Sequence, residues 1–331
     1  MNRSFPAGLL AQRILLVVSA AWLLSQPAGS GGWSEAFGWP GQTPARASAP
    51  QEAGLVPGFS HILVIVMENK EFDQVVGNPR MPNFNRWARR YALLTQYYAV
   101  THPSLPNYLA LVSGDFFGIR SDCTDCTINA RCLPDLLEAS GRNWKAYPED
   151  LPAAGFTGSR SGGYVKKHNP FVYFESIYGN PDRCKRCVVP LSQLRDDLEG
   201  DALPDFAFVV PDLCHSSHDC DVDVTDAWLG RVVDSILKSP AFDQNSLLVL
   251  TFDEGTTFRS CCGSPPLARG GRIATILISP LVKAGYRDKT PYSHYSLLKT
   301  IAAAWELEAL GHAASPDTNL ITFPWRAKSG R

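Results

Sequence analysis

The stretch SHILVIVM at residues 60–67 ends in six consecutive apolar residues, Ile62 to Met67, with no polar interruption. A strand with one wet face alternates, so a run like this needs cover on both faces, as in a parallel sheet flanked by helices. FAFVV at 206–210, SLLVLTF at 246–252 and IATILIS at 273–279 repeat the pattern. Helical stretches fall between and around them, over 83–94, 104–113, 133–140, 191–199, 226–238 and 294–306. Strands alternating with helices predict an α/β fold, a doubly wound sandwich built on a mostly parallel central sheet. At 331 residues, 45% of them hydrophobic, the chain suits one large domain of this kind.

In such folds the reactive groups collect beyond the carboxyl ends of the strands. The first run ends in Met67-Glu68-Asn69, the second in Pro211-Asp212 followed by HSSHD (215–219), and the third in Asp253-Glu254-Gly255. Any one of these can be a turn or a cap; together they deliver polar groups to one edge. Glu68, Asn69, Asp253 and Glu254 supply three carboxylates and an amide oxygen. That is a hard oxygen set, suited to one divalent ion such as Ca²⁺, Mg²⁺ or Mn²⁺ rather than Zn²⁺.

THPSLPN at 101–107 runs straight into YLALVSG. Ser104 reads as the cap of a helix that carries Pro106 in its first turn and stops at Gly114. It also reads as a hydroxyl at the positive end of a helix dipole, placed to attack phosphorus beside a cation that it helps to bind. His168 in KKHNPF, His218 in HSSHD and His294 in SHYSLL lie next to loops or helix starts, where they can bind phosphate oxygens and supply a proton to a departing alcohol. His61 and His312 read as structural. His102 is either structural or an orienting group for the Ser104 loop.

In this order the residues carry a resemblance: MEN at 67–69, THPSLPNYLALVSG, CTDCTINARCLPDLLEASGRNWKAYPEDLP, YVKKHNPFVYF, VVPDLCHSSHDCDVDVTDAWL, TFDEG and SHYSLLKTI. From about residue 58 to 312 the chain resembles the bacterial phosphoesterase family of secreted acid phosphatases, phosphatidylinositol 3-phosphate phosphatases and phospholipases C. That family is allied to the alkaline phosphatase superfamily, so the resemblance implies an alkaline-phosphatase-like fold. It implies Ser104 as nucleophile, Asn107 as an amide holding a phosphate oxygen, and Glu68, Asn69, Ser104, Asp253 and Glu254 as metal ligands. His168, His218 and His294 then belong to the phosphate pocket, and Asp226 matches a recurrent acid that orients a partner. Where relatives often read N-D-M-H, this chain has His215-Ser216-Ser217-His218, losing a carboxylate and gaining a histidine.

The implied activity is metal-dependent hydrolysis of phosphomonoesters, with phosphatidylinositol 3-phosphate among the candidates, through a phosphoserine intermediate. A phospholipase C-type phosphodiesterase is the rival within the same chemistry. A non-catalytic binder of phosphate or a lipid headgroup is the rival outside it.

The first 30 residues pair basic Arg3 and Arg13 with an apolar run from Ile14 to Leu24, the layout of a signal peptide, with a retained anchor as the alternative. Residues 31–58 read as a flexible linker and 59–325 as the catalytic domain. Export fits the nine cysteines, which are expected to form disulfides with one thiol left over. With a formal net charge of −1 and scattered basic residues the chain carries no footprint of nucleic acid. The expected partner is a small phosphoester or phospholipid headgroup, met by a secreted or cell-envelope monomer with no integral membrane span after cleavage.

Overall fold

A computed structural model describes residues 55–263 and 267–326. The expected signal peptide and most of the expected linker lie outside them. Of the linker, Val56 is buried in the core cluster.

The main strands are β1 (Ile62–Met67), β2 (Ala92–Tyr98), β3 (Trp144–Pro148), β4 (Phe206–Val210), β5 (Leu247–Phe252) and β6 (Arg272–Ile278), with two short additions, β7 (Arg287–Asp288) and β8 (Tyr292–Ser293). They form one sheet in the order β8-β2-β6-β5-β1-β4-β3, with β7 also on β2. β3, β4, β1 and β5 are mutually parallel. Every residue of β1, β4 and β5 is buried, so the sheet centre is covered on both faces. The apolar runs therefore became central strands.

The fourth run differs from its reading. β6 is antiparallel to both β5 and β2, so its carboxyl end points away from the other strand ends and its start, at Gly270 to Arg272, reaches the polar edge. Apolar composition reports burial and carries no sign of direction. The helical reading of 83–94 is also too long: α1 (Pro82–Arg90) stops at Tyr91, and β2 begins at Ala92. The other helices longer than four residues are α2 (Ser104–Ser113), α3 (Leu133–Ala139), α4 (Pro181–Cys187), α5 (Ser192–Glu199), α6 (Val222–Lys238) and α7 (His294–Ala304). α2 ends at Gly114, which has φ 74° and whose missing Cβ would lie 2.1 Å from the Leu310 carbonyl oxygen, so glycine is required there.

Disulfides join Cys123 to Cys126, Cys214 to Cys220, and Cys261 to Cys262. Three thiols remain rather than one: Cys132, Cys184 and Cys187, all buried. Cys184 and Cys187 face the interior from α4, and burial pushes both thiols up. No helix among the described residues is long and apolar enough to cross a membrane.

Candidate active site

β1 and β5 pair in parallel register with Met67 opposite Phe252. The residues that follow, Glu68 and Asp253, are thereby delivered to one point on the sheet edge, and both are fully buried. Asn69 turns the chain away from β1 at φ 54°, a left-handed conformation that asparagine tolerates. Its backbone N–H donates to Asp253 Oδ1 at 3.0 Å. The same oxygen accepts the Glu254 N–H at 2.6 Å. Asp253 Oδ2 is buried with no hydrogen-bond partner.

α2 brings the hydroxyl. Pro103 occupies the capping position and Ser104 is the first helical residue, so Ser104 is not the cap its sequence suggests. The Leu105 N–H is satisfied by Asp122 Oδ1 at 3.0 Å instead. Ser104 Oγ is left to donate to Glu68 Oε2 at 3.1 Å. Tyr108, one turn along on the same helix face, donates its hydroxyl to Glu68 Oε1. His168 stacks on Tyr108 with ring centroids 5.2 Å apart, and its Nε2 lies 3.2 Å from Glu68 Oε1.

Burial, and next the charge of Asp253, hold the Glu68 carboxyl well above the usual carboxylate range. Burial, and next the charge of Glu254, push Asp253 up to about 7. Neighbouring buried carboxylates are stable as anions only with positive charge beside them. The partnerless Asp253 Oδ2, the Glu68 carboxylate, the Ser104 hydroxyl and Glu254 make an oxygen donor set that fits a divalent cation. Nitrogen donors are also near: one ligand atom each from Glu68, His168 and His218 lie within 4.8 Å of one another.

Several of the expected site residues have partners within the chain. Asn107 is fully buried and its amide is spent on the chain before Ser104. Its Oδ1 accepts from the Val100 and Thr101 N–H groups at 2.8 and 3.0 Å, and its Nδ2 donates to the Thr101 carbonyl at 2.8 Å and to Glu254 Oε2 at 3.3 Å. It latches the loop that leads into Ser104. His294 is buried, with Nε2 2.6 Å from the Asp253 carbonyl oxygen and Nδ1 3.4 Å from the Tyr97 hydroxyl. Burial pushes it down to about 4. Burial likewise holds His168 well below the ordinary histidine value. His218 alone of the three reaches solvent, with Nδ1 on Asp219 Oδ1 at 2.7 Å and Nε2 3.4 Å from Lys167 Nζ.

The two carboxylate oxygens of Asp226 accept the N–H groups of Asn83 and Phe84 at the start of α1, at 3.0 and 2.8 Å. His215 also faces elsewhere, toward Glu149 and Asp212 at 3.0 and 3.4 Å. The serines that replace the missing carboxylate contribute backbone: Ser216 O accepts the Glu68 N–H at 2.8 Å and Ser217 O accepts Lys70 Nζ at 2.7 Å. His61 and His312 keep structural contacts, to the Pro204 carbonyl and the Tyr295 ring.

Sequence reading passed over Tyr108, Lys167, Glu71 and the use made of His102. Tyr108 was visible as the residue four after Ser104, which must share its helix face. Lys167, paired with Asp122 Oδ2 at 2.9 Å, stands beside His168 in the chain. His102 bridges Glu254 Oε2 at 2.8 Å and the Thr257 carbonyl at 2.9 Å. Glu71 Oε1 accepts from the N–H groups of Thr256 and Thr257 and from the Thr257 hydroxyl at 2.7 Å. Nothing in the local sequence marks those last pairings, since the partners are far apart in the chain.

The model of the phosphoesterase family matches residues 78–308. A phosphatidylinositol-3-phosphatase of Mycobacterium tuberculosis is 34% identical over 85% of this chain and 88% of its own length. A phosphate-repressible acid phosphatase of Penicillium chrysogenum is 34% identical over 76% of this chain. The chain spans about 60% of the length of that fungal relative. Among solved structures, a protein of the alkaline phosphatase superfamily from Vibrio parahaemolyticus superposes with a TM-score of 0.53 at 15% identity, covering 81% of this chain and 74% of that one. The likeness in structure is one of fold, an α/β architecture with a mostly parallel central sheet. By the family match and the extent of the shared sequence, the chain belongs to the phosphoesterase family.

Proposed function

We propose that this chain hydrolyses phosphomonoesters at Ser104. The observation that carries this is the bond of the Ser104 hydroxyl to a buried carboxylate beside the partnerless Asp253 oxygen, at the edge where strand ends converge. Homology to acid phosphatases and a phosphatidylinositol-3-phosphatase supports the same reading and extends it to phosphorylated headgroups.

Glu68, Asn69, Asp253 and Glu254 with Ser104 would hold a divalent cation, whose charge lowers the pKa of the hydroxyl and neutralises phosphoryl oxygens. Glu68, whose Oε2 lies 3.1 Å from Ser104 Oγ, accepts the Ser104 proton. Ser104 Oγ then bonds phosphorus as the bond to the leaving oxygen breaks, giving a phosphoserine and an alcohol. Lys167 offers its ammonium to the phosphoryl charge: burial lowers its pKa, but pairing with Asp122 outweighs this and keeps it raised. His218, the solvent-reaching histidine, gives a proton to the departing oxygen; water, losing a proton to His218, then attacks phosphorus as the bond to Ser104 Oγ breaks, releasing phosphate while Ser104 takes its proton back from Glu68. Tyr108 fixes the Glu68 carboxylate throughout, and Asn107 and His102 fix the loop that presents Ser104.

The disulfides support an oxidising, extracytoplasmic setting. The test is turnover of p-nitrophenyl phosphate against p-nitrophenyl phosphorylcholine, with acid-quench trapping of labelled phosphate on the protein. Faster turnover of the monoester and label lost in Ser104→Ala are expected. Label retained by Ser104→Ala overturns the nucleophile, and a preference for the diester overturns the monoesterase.

A further inference from the structure

We infer that Phe258 is a specificity-determining residue, a wall at the site mouth that receives the apolar part of the substrate's leaving group. This rests on the monoesterase reading and extends it to substrate class: phosphomonoesters with an aromatic ring or hydrocarbon close to the phosphate. Phe258 is 74% exposed, the most exposed large hydrophobic side chain among the described residues. It stands edge-on to His102 with ring centroids 5.0 Å apart. His102 in turn bonds Glu254 at 2.8 Å, so the ring is tied to the acidic cluster through a single side chain.

The loop that presents it is held at both ends. Before Phe258, Glu71 Oε1 takes three donors from Thr256 and Thr257, and His102 Nε2 meets the Thr257 carbonyl oxygen. After it, the Arg259 carbonyl accepts the Gly271 N–H at 3.1 Å, Cys261 bridges to Ala268, and Cys261 is bonded to Cys262. A ring held in water on so firm a mount gains from a partner that covers it. The phosphoryl group cannot be that partner, because a phosphate dianion calls for cations and N–H donors, such as the Lys167 ammonium, which an aromatic ring does not offer. An apolar surface carried by the alcohol can.

The test uses the full chain and its Phe258→Ala and Phe258→Leu variants, with phenyl phosphate, a short-chain phosphatidic acid below its micellar concentration, and glycerol phosphate. In Phe258→Ala the ratio of kcat/KM for phenyl phosphate to that for glycerol phosphate is expected to fall about tenfold, mostly through KM, with partial recovery in Phe258→Leu. The phosphatidic acid arm shows whether hydrocarbon is read as well as a ring; a fall in either ratio supports the wall. Ratios within about twofold of the unsubstituted chain for both apolar substrates overturn it, even if all rates drop together, since that reports only support of His102. Wild-type turnover is read separately: hydrolysis of none of the three monoesters defeats the monoesterase reading, whereas unchanged ratios with turnover intact defeat only the wall.

Discussion

At the residue scale, Ser104 and Tyr108 share Glu68, and their substitutions separate chemistry from positioning. Ser104→Ala removes one donor from a carboxylate that keeps Tyr108. Activity should fall by a thousandfold or more, to about background, with the melting temperature nearly unchanged. Tyr108→Phe keeps the nucleophile and frees a buried carboxylate oxygen, which should cost about 1–3 kcal/mol of stability by chemical denaturation. Its kcat should fall about tenfold with KM little changed, because the group lost positions Glu68 and does not touch substrate. An unchanged kcat would detach Tyr108 from the site. The acids and the serine were legible in the sequence because strand ends and a helix start are local features. Asn107 and His294 were not. Their side chains end on backbone groups, the Val100 and Thr101 amides and the Asp253 carbonyl, which no residue type announces.

At the element scale, Asp226 shows how a motif residue can be conformational. It is 2% exposed on α6 and takes the N–H groups of Asn83 and Phe84, together with Asn83 Nδ2 at 3.0 Å. It thus supplies the cap that α1 lacks, since Met81 at its own capping position makes no side-chain bond there. Asp226→Ala should cost about 2–3 kcal/mol of unfolding free energy, with kcat per folded molecule retained. Loss of kcat at full stability would return Asp226 to the site. The central strands were readable because each is buried on both faces and so apolar throughout. β2 and β3 carry polar residues such as Thr95, Gln96 and Lys145 and lack that signal. The direction of β6 depends on where the chain returns in space and leaves no trace in composition, whereas the three disulfides join cysteines only three, six and one residue apart.

At the scale of the whole molecule, the buried carboxylates tie folding to cation and to pH. Without bound cation, the Asp253 carboxyl has its folded pKa raised to about 7 from an ordinary 3.8. Between those values the folded chain binds more protons than the unfolded one, so stability falls as pH rises through the window. A cation that binds the anionic carboxylates offsets this, and its effect must therefore grow with pH. Chelator should lower the melting temperature at pH 7.5 by several degrees and at pH 5 by clearly less, since saturation at a hundred times Kd contributes about 2.7 kcal/mol. For a domain of this size that is a shift of roughly 5–10 °C. Adding back Ca²⁺, Mg²⁺ and Mn²⁺ singly, with melting followed by calorimetry, identifies the ion that restores it. Ser104→Ala should retain most of the shift, because four other side chains of the set are untouched. A melting temperature indifferent to chelator at both pH values would mean that Glu68 and Asp253 share protons instead of a metal, and the cation would drop out of the account of Ser104.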